Sequence, residues 1–181
     1  MFGSDQHPPL SIAARHGHLD LVKLLMLHDD TGSKHVDDAL RNAAQAGQLD
    51  ALKLILKNMP QHSNLGNWPL EVLISAALSG QGHIVDFALT EHDADINGII
   101  TRDKKILTRG FPYPKLWERP AIYAAASHGY VGTASYLLAK GAHYSGPWGN
   151  ALAPAVRRGY TRTVEVLLKA SADLNTVDLE A

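Results

Sequence analysis

The chain has 181 residues, 45% apolar and 19% charged, and its 17 basic and 18 acidic side chains leave a net charge of −1. That balance excludes a polyelectrolyte tail and a general polyanion binder, and the apolar content excludes intrinsic disorder. With no cysteine there is no disulfide framework, no thiolate nucleophile and no sulfur-ligated zinc, and no apolar run approaches the roughly 20 residues of a bilayer span.

Met1–Pro9 lacks the basic start and apolar stretch of a secretory signal, so a cytoplasmic or nuclear protein is expected. The first helical pair is read in AARHGHLDLVKLLM (Ala13–Met26). Asp29-Asp30 and Asp37-Asp38 follow and are expected in a loop, as solvated acids and helix caps. The next two pairs are AAQAGQLDALKLIL (Ala43–Leu56) and AALSGQGHIVDFAL (Ala76–Leu89). After a long connection come AASHGYVGTASYLL (Ala125–Leu138) and AVRRGYTRTVEVLL (Ala155–Leu168). Pro154 predicts a late or irregular start for the last first-helix, because it removes an N–H donor.

These segments register on Gly17, Gly47, Gly80, Gly129 and Gly159, at spacings of 30, 33, 49 and 30. Small residues before each glycine let first helices approach closely, and the glycine supplies the left-handed residue that ends them. An apolar triplet seven to nine positions later (Leu24-Leu25-Met26 in the first copy) joins the residue at plus four on one helical stripe. One such pair cannot bury its stripe alone, so stability must come from stacking copies. The 49-residue step locates an insertion at Gly98–Arg119, with six bases against two acids and helix-breaking Pro112 and Pro114.

The pattern resembles the ankyrin repeat. PPLSIAARHGHLDLVKLL (Pro8–Leu25), RRGYTRTVEVLLKASADLN (Arg157–Asn175) and Asp93-Ala94-Asp95-Ile96-Asn97 carry the resemblance, and the late copies are similar in wording to filamentous-fungal ankyrin proteins. The resemblance implies an all-α helical solenoid of about five helix-turn-helix repeats with finger hairpins or loops and one enlarged inter-repeat loop. A single domain over 1–181 is expected, with repeats at about 8–33, 38–64, 69–97, 120–146 and 150–178 and the insertion at 98–119.

The same resemblance implies a concave binding face made by the fingers and by the residue pair before each glycine. Those pairs are Arg15-His16, Gln45-Ala46, Leu78-Ser79, Ser127-His128 and Arg157-Arg158. Trp68, Trp117 and Trp148 fall about twelve residues before their glycines and are expected in the fingers, as a ridge joined by Phe111 and Tyr113. Tryptophan, tyrosine and arginine are the residue types that dominate interface hot spots. The expected ligand set is therefore Arg15, His16, Trp68, Phe111, Tyr113, Trp117, His128, Trp148, Arg157 and Arg158.

Two functions remain open. One is a non-enzymatic scaffold that binds another protein or peptide. The other is a small-molecule or isomerase- or cyclase-type protein with a pocket between the insertion and the concave face, whose polar floor is His128, Tyr123, Arg157 and Arg158. No phosphate loop, dinucleotide fingerprint or serine elbow is present, so no cofactor is expected. The ten histidines show no metal-ligand spacing, and the rings of His16 and His18 are expected to diverge around Gly17. His83 and Arg162 replace an expected acid at a helix start. No nucleic-acid or membrane partner is expected, and a homodimer through an uncapped end of the stack is.

Overall fold

The computed structural model describes residues 8–28, 33–59, 67–100, 119–146 and 149–177. Those residues form ten helices in five pairs: α1 (Pro9–Arg15) with α2 (Leu19–His28), α3 (Ser33–Ala46) with α4 (Leu49–Lys57), and α5 (Trp68–Leu78) with α6 (Gly82–Thr90). After the insertion come α7 (Ala121–Ser127) with α8 (Val131–Ala139), then α9 (Leu152–Arg157) with α10 (Thr161–Val177). The only strands among the described residues are β1 (Ser145–Gly146) and β2 (Gly149–Asn150), an antiparallel finger between the fourth and fifth pairs. The first helices stack in sequence, α1 on α3 on α5 on α7 on α9, while α2 packs on α4, α6 on α8 and α8 on α10. Two layers of translated helices, with no central sheet among the described residues, make an all-α repeat solenoid.

The turn inside each pair is built five times over by the same bonds. Each registering glycine has φ between +68° and +76°. The N–H of the following residue donates to the carbonyl four positions before the glycine: His18 to Ala13, Gln48 to Ala43, Gln81 to Ala76, Tyr130 to Ala125 and Tyr160 to Ala155, at 2.9–3.1 Å. That is the Schellman closure of a helix C-terminus, and it needs the left-handed residue that glycine supplies. Entry into the first helices is equally local, with Pro9 in the first turn of α1, Pro69 in the first turn of α5 and the Asn67 side chain accepting from the Leu70 N–H.

Ala13-Ala14, Ala43-Ala44, Ala76-Ala77 and Ala125-Ala126 are all buried, which lets neighbouring first helices close on one another. One apolar cluster runs from Leu10 to Leu167, through Leu40, Leu52, Ile55, Leu73, Ile84, Ile122 and Leu137. Each of these fully buried chains contributes about 1.5–3 kcal/mol relative to exposure. The end positions show what stacking covers. Five residues before the glycine, Ile12 is 48% exposed where Ser75 is buried; three before it, Val156 is 61% exposed where Ala77 is buried.

Three local expectations are corrected. Asp37 and Asp38 lie inside α3, where Asp38 forms an ion pair with Arg41. Asp29-Asp30 lies outside the described residues. The run Ala170–Asn175, matched above to a repeat tail, is helical within α10. Position 171 is serine where the fourth unit has Gly141 at φ 93°, so nothing there forces the helix to stop. Pro154 lies within α9, whose 6 residues make it the shortest of the ten described helices.

Candidate binding face

Because the alanines of each first helix are consumed by stacking, the side chains left over are those next to the glycines. Arg15, His16, Gln45, Arg157 and Arg158 are exposed, Ala46, Leu78, Ser79 and His128 are half-buried, and Ser127 is buried. The ten positions follow the stack from α1 to α9. At about 8–10 Å per helix step, Arg15 and Arg157 stand about 32–40 Å apart. The expected cationic residues therefore do not form one patch: they lie at the two ends of a row whose centre is Leu78-Ser79.

The row is held from below by the residue after each glycine, a packing role that the sequence reading did not assign. The residue after each glycine lies over the glycine of the preceding pair. A Cβ placed on Gly80 would come 2.6 Å from Tyr130 Cδ1, one on Gly129 2.9 Å from Tyr160 Cγ, and one on Gly47 2.7 Å from Gln81 Oε1. Gln48 covers Gly17 in the same way. Only the tyrosines and glutamines at this one position could have signalled the arrangement. Gln81 Nε2 also donates to the Gln45 carbonyl at 3.3 Å. His83, which stands in place of an acid, donates from Nε2 to the Gly47 carbonyl at 3.1 Å.

The left-handed glycine also brings its two neighbours side by side. The rings of His16 and His18 stack at 5.8 Å and 21°, where divergence was expected, and His128 and Tyr130 stack at 6.0 Å and 12°. His128 Nδ1 lies 3.0 Å from the Ser127 hydroxyl and 3.1 Å from the Ala124 carbonyl. Arg158 reaches back across the junction, and its Nη1 donates to the Ser127 carbonyl at the end of α7. His128, Tyr130 and Arg158 are thus gathered at one helix end. Tyr123, half-buried on α7, lies under the Arg119 guanidinium at 4.1 Å from its ring centre.

Trp68 opens α5 instead of preceding it in a finger. It is half-buried and packs edge-on against His92 at 4.7 Å, and Phe87 meets the same imidazole, also edge-on, at 4.7 Å. His92 is a second residue that sequence reasoning passed over, since no pattern pairs positions 68 and 92. Phe111, Tyr113, Trp117 and Trp148 lie outside the described residues, and with them the pocket expected under the insertion. A groove of about 440 Å³ lies instead on the second-helix layer, between α2 and α4, lined by Leu19, Leu54, Asp20, Lys23, Asp50, Lys53 and Lys57.

Three or more metal-ligating side chains do not come together anywhere among the described residues, and no helix there is long and apolar enough to cross a membrane. Between neighbouring pairs, Arg41 Nη1 donates to Glu71 Oε2 at 2.9 Å and joins α3 to α5. The Tyr136 hydroxyl donates to Asp86 and joins α8 to α6. That hydrogen bond is the main reason the Tyr136 pKa lies above the ordinary value of 10.0, with smaller contributions from desolvation and the Asp86 charge.

No curated protein matches the chain. A family model of ankyrin repeats, in three copies, matches residues 10–100, which hold the first three helix pairs. The fourth and fifth pairs repeat their Schellman turns, the fourth with both buried alanines (Ala125-Ala126) and the fifth with one (Ala155). With half of its 181 residues matched in this way, the chain belongs to the ankyrin repeat family.

Proposed function

We propose that the row from Arg15-His16 to Arg157-Arg158 is a protein-binding face, taking a segment with acidic ends and an apolar centre. Ankyrin repeats generally mediate protein–protein interaction, and the composition of the row supplies the specificity. Its ten residues hold three arginines, two histidines and no acid, with Leu78 at the middle. That absence of acid, in a chain of net charge −1, is the observation on which the reading rests. A partner spanning about 32–40 Å needs about ten to twelve extended residues or a helix of about 21–27. The stacked pairs His16/His18 and His128/Tyr130 restrict the side chains before binding, which lowers the entropy lost on association.

The test is selection from a random peptide library on the full chain, repeated on Arg157→Glu/Arg158→Glu, with circular dichroism to verify folding. The expected result is enrichment of peptides with acids flanking an apolar centre, weakened by the charge reversal and by salt, since charge at such a rim governs encounter. Enriched peptides of no consistent charge, or peptides bound equally by both proteins, would remove the assignment.

A further inference from the structure

Asn97-Gly98 is the single Asn-Gly pair in the sequence. In a mobile chain this pair is chemically weak, because a glycine nitrogen with no neighbouring Cβ attacks the asparagine side-chain carbonyl with little hindrance. The fold nevertheless demands both residues. A Cβ on Gly98 would come 2.9 Å from Leu70 Cδ1 and 3.0 Å from the Asp95 carbonyl oxygen. Asn97 is the clasp between the third and fourth helix pairs: Nδ2 donates to the Gly141 carbonyl at 3.4 Å, and Oδ1 accepts from the His143 N–H at 2.8 Å. The clasp ties the residue just before the insertion to the turn after α8, and so joins two pairs that the chain itself connects only through a long segment.

The same contacts block the reaction. Both polar atoms of the Asn97 amide are engaged with the next pair, and the Asn97 N–H donates to Asp95 Oδ1 at 3.0 Å. The attacking nitrogen, on Gly98, is itself tied by its N–H to the Asp95 carbonyl at 3.0 Å. Attack requires the amide to turn out of the clasp and Gly98 to leave its bond.

We propose that Asn97 is a chemical-ageing site, deamidated when the junction between the third and fourth pairs opens and protected while it is closed. Gly98 N bonds to Asn97 Cγ, the side-chain nitrogen leaves as ammonia, and a succinimide results. Water then adds to one or other of its carbonyls to give isoaspartate or aspartate, with no redox change. Both products lose the Nδ2 donor to the Gly141 carbonyl: aspartate puts a carboxylate oxygen in its place, and in isoaspartate the former side-chain carbonyl carries the main chain to Gly98, which lengthens the backbone beside the Leu70 contact. The modified junction reopens more easily, so the conversion records how often the junction has opened.

Peptide mapping by mass spectrometry tests this on the full chain, incubated at mildly alkaline pH either folded or in urea. Conversion at Asn97 is expected to be at least roughly tenfold slower in the folded chain, since it is limited by local opening. Equal rates would overturn the protection. In urea, Gly98→Ala should slow conversion strongly, and an unchanged rate would overturn the succinimide route. Asn97→Asp should lower the urea midpoint and raise amide exchange over residues 94–98 and 141–143; wild-type values of both would overturn the clasp.

Discussion

Gly80→Ala tests the fit between one pair's glycine and the next pair's aromatic. Gly80 has φ +72°, and its added Cβ would meet Tyr130 Cδ1 at 2.6 Å and Cε1 and Cγ at 2.9 Å. The ring also stacks on His128, at 6.0 Å between centroids, so moving aside would disturb that pair. A left-handed non-glycine residue costs about 1–2 kcal/mol and forced overpacking about 1–3 kcal/mol, so a loss of about 2–5 kcal/mol is expected. Gly159 is the internal control. Its φ is +71°, but a Cβ there meets nothing within 4 Å, so Gly159→Ala should lose only the backbone part, about 1–2 kcal/mol. Urea unfolding followed by far-ultraviolet circular dichroism, with the slope compared among variants, measures both. Because an end unit of a repeat array can fray on its own, the deciding measurement is the double-mutant cycle with Tyr130→Ala. In the Tyr130→Ala background, Gly80→Ala should fall to the Gly159→Ala value. Strict additivity in that cycle would refute the packing argument and leave backbone conformation as the whole effect.

Asp93 is the one non-glycine at positive φ (49°) among the described residues, and it stands where the fourth unit has Gly141. Asp93→Gly should raise stability by about 0.5 kcal/mol, the relief of left-handed strain less the entropy of glycine, visible as a higher thermal midpoint. Arg41 and Glu71 are each about one-quarter exposed or less, at 26% and 19%. Glu71→Gln should therefore cost about 1 kcal/mol in urea unfolding, more at low than at high salt. Because the Tyr136 phenol holds its proton more tightly when folded, its contribution is full below the ordinary tyrosine pKa of 10.0 and is lost as pH rises through the folded value. Asp86→Ala, which removes the acceptor, should bring the tyrosinate titration of Tyr136 back toward that ordinary value; an unmoved titration would show that the hydrogen bond is not its cause.

Much of the stack is written locally and was legible before any coordinates. A glycine that must be left-handed, two alanines before it and an apolar stripe after it specify a helix, its stop and the next helix from neighbouring residues alone. Repetition then requires the pairs to stack, because the stripe has no other place to be buried. The insertion was visible as a break in spacing at Gly98–Arg119 for the same reason.

The positions of the proposed binding face can be numbered from the sequence, but their arrangement cannot. That Arg15 and Arg157 stand at opposite ends of a row follows only from the number of helices between them. That His16 stacks on His18, and His128 on Tyr130, depends on where a positive φ swings the chain. Trp68 reads as a finger residue until α5 is seen to begin with it and His92 is found against its edge, 24 positions away in the sequence. Asn97 reads as the end of a repeat tail, but its partners Gly141 and His143 lie beyond the insertion. The glycine stop of each first helix and the period of the stripes are decided by backbone geometry over a few residues, so the sequence alone determined them. Which side chain meets which across a junction depends on helices brought together from distant parts of the chain, and only the tertiary structure decided that.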